Sequence, residues 1–149
     1  MKFALDTEFI DTSTASECIS LALVAADGRE LYVEFPYSER EITPWLRQHV
    51  VPMLGTEKVS FQQAAAQIRE FVGGSKFDVP EFWAYYAAYD WYWFCRVFGG
   101  FMQLPAHYPH LVRDFAYIQQ GVPNVSGPEH FALNDARSLM VAMKRRGVA

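Results

Sequence analysis

Three short stretches carry side chains equipped for chemistry. The chain begins MKFALDTEFIDT, and Asp6 and Glu8 stand two residues apart after the apolar run Phe3-Ala4-Leu5. In an extended strand residues i and i+2 point to one face, so both carboxylates aim into a single space. The stretch AAYD carries Asp90, and HFALND separates His130 from Asp135 by five residues. That last spacing is not a metal-ligand repeat on a helix, so the two side chains have different roles. Each group alone has an ordinary explanation. Asp-x-Glu at a strand end forms a solvated turn, Asp90 caps the helix that follows it, and a histidine before a helix is a surface or capping residue. Acids at the end of a buried strand are nevertheless costly unless a cationic partner meets them. Asp11 is read as an ordinary loop acid.

The elements that position these groups are legible from periodicity and turn chemistry. Residues 2–7 read as a short strand entering the core. ECISLALVAA (17–26) alternates, with Ile19, Leu21, Leu23 and Ala25 on one face. Asp27-Gly28 is a hairpin signal, and ELYVEF returns as the third strand of a meander. TPWLRQHVVPML starts as a helix capped by Thr43 with Pro44 at its first position, and Pro52 ends or bends it. SFQQAAAQIREFV is a second helix, capped by Ser60 and stopped by Gly73-Gly74.

EFWAYYAA (81–88) is apolar on both faces, as in mid-sheet, which leaves Asp90 just past the strand end where open α/β sheets place ligands. WYWFCRVFG is helical up to Gly99-Gly100. A loop rich in proline and histidine follows, and LVRDFAYIQQG holds a short strand and a helical turn. SGPEHFALNDARSLMVAMKRRG closes the chain as a helix with Leu133, Ala136, Met140 and Met143 in one stripe and a basic last turn. Strands separated by helices predict one α/β domain over 1–149: a mixed central sheet, a three-strand antiparallel meander plus parallel strands, flanked by helices.

Bulk properties narrow the function. With 13 Lys and Arg against 17 Asp and Glu the net charge is −4, which excludes binding of duplex nucleic acid by charge alone. It leaves open an enzyme whose acidic site is neutralised by metal ions. Hydrophobic content of 51% and aromatic content of 16% exclude a disordered chain. The two cysteines, Cys18 and Cys95, lie in apolar stretches without ligand spacing and read as buried thiols. With no signal peptide or long apolar span in the sequence, a soluble cytoplasmic protein with no membrane association is expected.

Taken together and in this order, LDTEF, YDW and HFALNDA resemble the motifs of the DEDDh 3′-5′ exonucleases, the superfamily of oligoribonuclease, RNase T and the proofreading subunit of bacterial DNA polymerase. The last stretch is close to that family's His-x-Ala-x-x-Asp-Ala pattern, with Ala132 and Ala136 in place. DTEFI, ISLALVAADGRELY, WLRQHVVPML, AAYD and HFALNDAR are similar, over nearly the whole chain, to the mycobacterial RNase AS-like exoribonucleases. The resemblance implies a ribonuclease-H-like fold, 3′-5′ exoribonuclease activity on the 3′ end of single-stranded RNA with a preference for adenylate-rich sequence, and a homodimer. It also implies that Asp6, Glu8, Asp90 and Asp135 bind two Mg²⁺ ions, or Mn²⁺, and that His130 is the general base.

The residue types fit that chemistry. Two divalent ions about 4 Å apart clamp the attacking and leaving oxygens of a phosphodiester, and hard cations prefer oxygen ligands. Four carboxylates offer roughly four negative charges to about four positive ones, and without metal they repel one another and raise each other's pKa values. An imidazole with an intrinsic pKa near 6.5 suits proton abstraction around neutral pH.

Substrate contacts are less determined. Phe9 is either a stacking platform for the terminal base or a core residue. Trp91 is a substrate candidate beside Asp90, with core packing or a dimer interface as the competing use of Trp91 or Trp93. Arg137 is a candidate phosphate contact, and the resemblance assigns the Thr7 and Phe9 main chain to the terminal ribose. The competing functions are the same chemistry on single-stranded DNA or short oligonucleotides, an inactive nucleic-acid-binding module, and a structural domain whose acids cap turns.

Overall fold

The computed structural model describes residues 1–125 and 127–149. Strand β1 (Lys2–Asp11) lies in the middle of a five-stranded sheet with β2 (Ser16–Ala25), β3 (Glu30–Glu34), β4 (Glu81–Ala84) and β5 (Arg113–Asp114), in the order β3-β2-β1-β4-β5. The first three strands form the antiparallel meander, and β4 and β5 continue the sheet in parallel. Helices α1 (Pro44–His49), α2 (Phe61–Val72), α3 (Ala88–Val97) and α4 (Ala132–Arg145) flank it. This mixed α/β sheet is the expected architecture and is consistent with a ribonuclease-H-like fold. None of the helices among the described residues is long and apolar enough to cross a membrane.

Side chains on β1 alternate between two cores. Phe3 and Leu5 belong to an apolar cluster with Ile68 of α2 and Phe94 of α3. Ala4 faces the other way, into a cluster with Leu139, Met140 and Met143 of α4. Continued along the strand, this alternation turns Thr7 toward the α3 side, and Asp6 and Glu8 toward the α4 side. Two helices therefore arrive at opposite faces of the stretch Asp6-Thr7-Glu8.

The capping signals are realised. Thr43 Oγ1 accepts from the Leu46 amide, and Ser60 and Gln63 form a reciprocal capping box at the start of α2. Pro52 falls in a short 3-10 turn over Val51–Met53 that follows the end of α1.

Three boundaries differ from expectation. Strand β1 does not stop at residue 7: β2 pairs with it from Phe3↔Ala25 to Asp11↔Ser16, with a bulge between Glu8 and Phe9, so the acids sit inside a strand. Strand β4 ends at Ala84 rather than 88, because Tyr86 turns the chain at φ +57 and α3 begins at Ala88. Asp90 is accordingly in the first turn of α3. Helix α4 begins at Ala132, since His130 at φ +61 lies outside helical backbone. The proposed helical start at Ser126 lies outside the described residues.

Candidate active site

On the α4 side of β1, Asp6, Glu8 and Asp135 each present a carboxylate oxygen, all within 4.8 Å of one another. Helix α4 brings Asp135 there in its first turn. Burial, followed by the charges of Asp90, Glu8 and Asp135, drives the Asp6 carboxyl well above its ordinary pKa. Glu8 is pushed up to about 8 by burial and then by Asp135 and Asp90. Burial also raises Asp135, opposed by the main-chain N–H and the charge of His130. Each half-buried acid is thus held near others of its own sign.

On the α3 side the carboxylate is satisfied differently. The Thr7 main-chain N–H and its hydroxyl both donate to Asp90 Oδ1, at 2.9 and 2.7 Å. Beyond Ala4 strand β1 has no β4 partner, so the Thr7 amide is available and α3 supplies its acceptor. Burial still lifts Asp90 to about 7, partly offset by these two bonds. All four acids line one hollow of about 290 Å³ together with His130.

His130 is tied to the cluster through its own backbone: its N–H donates to Asp135 Oδ2 at 2.9 Å. Its ring rests edge-on against Trp45 of α1, with centroids 4.7 Å apart, and His49 stacks on Trp45 at 4.8 Å. Phe9 stacks nearly parallel on Tyr89 at 4.8 Å, and the Tyr89 hydroxyl donates to Asp11 at 2.7 Å. Phe9 and Trp45 also share the lining of a second hollow of about 340 Å³, with Glu8 at its edge. A third, of about 240 Å³, opens from Asp6, His130 and Asp135 toward Tyr85, Val122 and Leu139.

Five of the residues singled out in the sequence, Asp6, Glu8, Asp90, His130 and Asp135, therefore converge, with Thr7 and Phe9 beside them. Trp91 is not among them; its ring packs on Phe82 and Phe94 at 5.8 and 5.2 Å, inside the apolar cluster between sheet and α3. Two residues earlier on the helix, Tyr89 reaches the hollow instead. Arg137 points its guanidinium at Glu30 on β3, with Nε and Nη2 at 2.8 and 2.6 Å from the two carboxylate oxygens, and so is engaged away from the acids. Tyr85, Tyr86, Tyr89 and Trp45 were not anticipated as site residues. The first three are carried there by the turn at Tyr86, and Trp45 by the docking of α1.

The arrangement also agrees with similarity to known proteins. Residues 1–145 match the profile of the 3′-5′ exoribonuclease Rv2179c-like domain. The chain is 33% identical over 147 residues to the 3′-5′ exoribonuclease Rv2179c of Mycobacterium tuberculosis strain H37Rv, covering 92% of this chain and 88% of that protein. The 3′-5′ exoribonuclease MT2234.1 of strain CDC 1551 matches to the same extent. With the profile running through all five strands and to the end of α4, the chain belongs to the Rv2179c-like 3′-5′ exoribonuclease family.

Proposed function

We propose that the chain, as one domain, hydrolyses phosphodiester bonds from the 3′ end of single-stranded, adenylate-rich RNA, using two divalent ions and His130 as general base. The observation that carries this reading is the convergence of Asp6, Glu8 and Asp135 within 4.8 Å. Three mutually repelling carboxylates make a stable arrangement when a cation lies between them, and an all-oxygen donor set suits Mg²⁺ or Mn²⁺. With Asp90, these residues would hold two ions, which when bound stabilise negative charge on the attacking and leaving oxygens.

The remaining steps belong to the chain's own groups. His130 accepts a proton from the attacking water. The bond from its N–H to Asp135 fixes its main chain relative to the acids, and Trp45 bears on its ring. Phe9, backed by Tyr89, and Trp45 line the hollow beside Glu8 and offer aromatic surface on which a terminal base can stack. Because the Thr7 amide is already bonded to Asp90, the Phe9 main chain is the better candidate for the terminal ribose hydroxyls. A net charge of −4 gives RNA no general electrostatic attraction, so stacking and the bound cations supply the affinity.

The same reading includes a cytoplasmic homodimer; sedimentation equilibrium tests the dimer. The activity is tested with 5′-labelled poly(A), mixed-sequence RNA and single-stranded DNA, each with Mg²⁺, Mn²⁺ or EDTA. The expected result is 3′ trimming of RNA that EDTA abolishes and that is fastest on poly(A). Trimming that is fastest on DNA would replace RNA as the substrate, and the absence of metal-dependent trimming on all three would overturn the reading.

A further inference from the structure

Strand β5 is only two residues long, and its second residue, Asp114, pairs in register with Ala84, the last residue of β4. Its carboxylate is directed at the chain leaving β4. Oδ1 accepts from the Tyr86 amide at 3.1 Å and from the Ala116 amide at 2.9 Å, while Oδ2 accepts from the Ala87 amide at 3.2 Å. Ala87 is the N-cap of α3 and has no side chain able to cap it. Asp114 therefore does this from another strand, and a carboxylate at a helix N-terminus is also favoured by the helix dipole.

The turn held in this way is a strained one. Tyr86 sits at φ +57, a conformation costly for a side chain with a Cβ and maintained only when its surroundings impose it. Three residues into α3 comes Asp90, whose Oδ1 meets Thr7 of β1. The route from Asp114 to the acid cluster is thus short: two hydrogen bonds from the turn amides to its carboxylate, then unbroken backbone through the first turn of α3 to Asp90. Phe115 on the next position is fully buried, which anchors the strand that carries Asp114.

We propose that Asp114 is a positioning residue for the metal centre, setting where Asp90 stands relative to Asp6 and Glu8 by holding the Tyr86–Ala87 turn. This rests on the reading of Asp90 as a member of that centre. Groups that orient metal ligands without touching the ion typically change metal affinity or activity by about 10- to 100-fold when removed.

The test is calorimetric titration of Mn²⁺ into the metal-free chain and its Asp114→Asn variant, with Ser60→Ala as a control. Asparagine keeps the size of the side chain and one acceptor oxygen, so one of the two turn amides loses its partner while the fold is minimally disturbed. Ser60→Ala removes a cap from α2, far along the chain from the acids. The expected result is Mn²⁺ affinity about 10- to 100-fold weaker for Asp114→Asn, with Ser60→Ala melting earlier in EDTA but binding Mn²⁺ as the unaltered chain does. Asp114→Ala should weaken binding at least as much; if it does not fold, Asp114→Asn decides. Unchanged Mn²⁺ affinity in Asp114→Asn would reduce Asp114 to a turn cap and overturn this inference alone. An unaltered chain that binds no Mn²⁺ would overturn the metal centre and this inference with it.

Discussion

Glu34, at the end of β3, and Glu8, inside β1, occupy the same sheet in contrasting surroundings. Glu34 is 1% exposed, and its Oε1 accepts from the Tyr32 hydroxyl and from the amides of Gly55 and Thr56, at 3.0, 2.8 and 3.1 Å. Those neutral donors stabilise a buried carboxylate locally and tie the segment after α1 to the sheet. Glu8 instead faces Asp6 and Asp135 and is driven toward its protonated form. Glu34 is the more enclosed of the two, yet it is Glu8 whose neighbours oppose its charge. A carboxylate surrounded by donors is a structural device, whereas one surrounded by other carboxylates must take up a proton or a cation. Asp90 stands between these cases, with two donors from Thr7 on one oxygen and the acid cluster beside it.

This contrast is most strongly tested by removing ligands. Asp6→Ala or Asp135→Ala should reduce RNA trimming to background, a loss larger than the 10- to 100-fold typical of groups outside the ligand set; full activity in either variant, measured in single-turnover assays, would sink the mechanism. His130→Ala should slow turnover by about 10²–10⁴-fold while Mn²⁺ binding survives, which separates the base from the ligands. Trp45→Ala or Phe9→Ala should raise KM for poly(A) more than it lowers kcat, since stacking on one base is worth about 1–3 kcal/mol. Equal KM values on poly(A) and poly(U) would remove the adenylate preference.

Glu34→Ala supplies the complementary case. It takes the shared acceptor away from the Tyr32 hydroxyl and from the amides of Gly55 and Thr56, each such bond contributing about 0.5–1.5 kcal/mol. Its melting temperature should fall, while activity per folded molecule and Mn²⁺ affinity are retained. Loss of metal binding there would erase the distinction between the two glutamates.

A smaller effect follows from protonation. In the metal-free fold Glu8 keeps its proton up to about pH 8 and Asp90 up to about pH 7, whereas in the unfolded chain they release it near 4.5 and 3.8. Between those limits the folded state binds more protons, so stability falls as pH rises. The melting temperature in EDTA should be higher at pH 5 than at pH 8, and Mg²⁺ or Mn²⁺ should restore much of the difference at pH 8. A flat profile in EDTA would mean that the acids are not forced together.

What could be read from the chain was what local chemistry controls. The Asp27-Gly28 hairpin, the Thr43 and Ser60 caps and the alternation of β2 all depend on near neighbours, and each appears as expected. The five candidate residues were legible because LDTEF, YDW and HFALNDA, each ordinary alone, together resemble the DEDDh motifs. Length and direction were harder to read. β1 continues past Thr7 because β2 offers a partner, and β4 stops at Ala84 where the chain turns at Tyr86, whose amide bonds to Asp114, 28 residues away. Trp91 was the expected neighbour of Asp90, but helical phase packs it against the core and brings Tyr89, which was not anticipated, to the hollow. Arg137 carries the right charge for phosphate, yet Glu30 on a different strand claims it.

The central claim, that Asp6, Glu8, Asp90 and Asp135 form a divalent-cation centre, is tested most directly by calorimetric titration of Mn²⁺ into the EDTA-treated chain and its Asp6→Ala variant at neutral pH. The account predicts saturable binding of two ions per chain that Asp6→Ala largely abolishes. Absence of saturable binding, or equal binding by the variant, would contradict it.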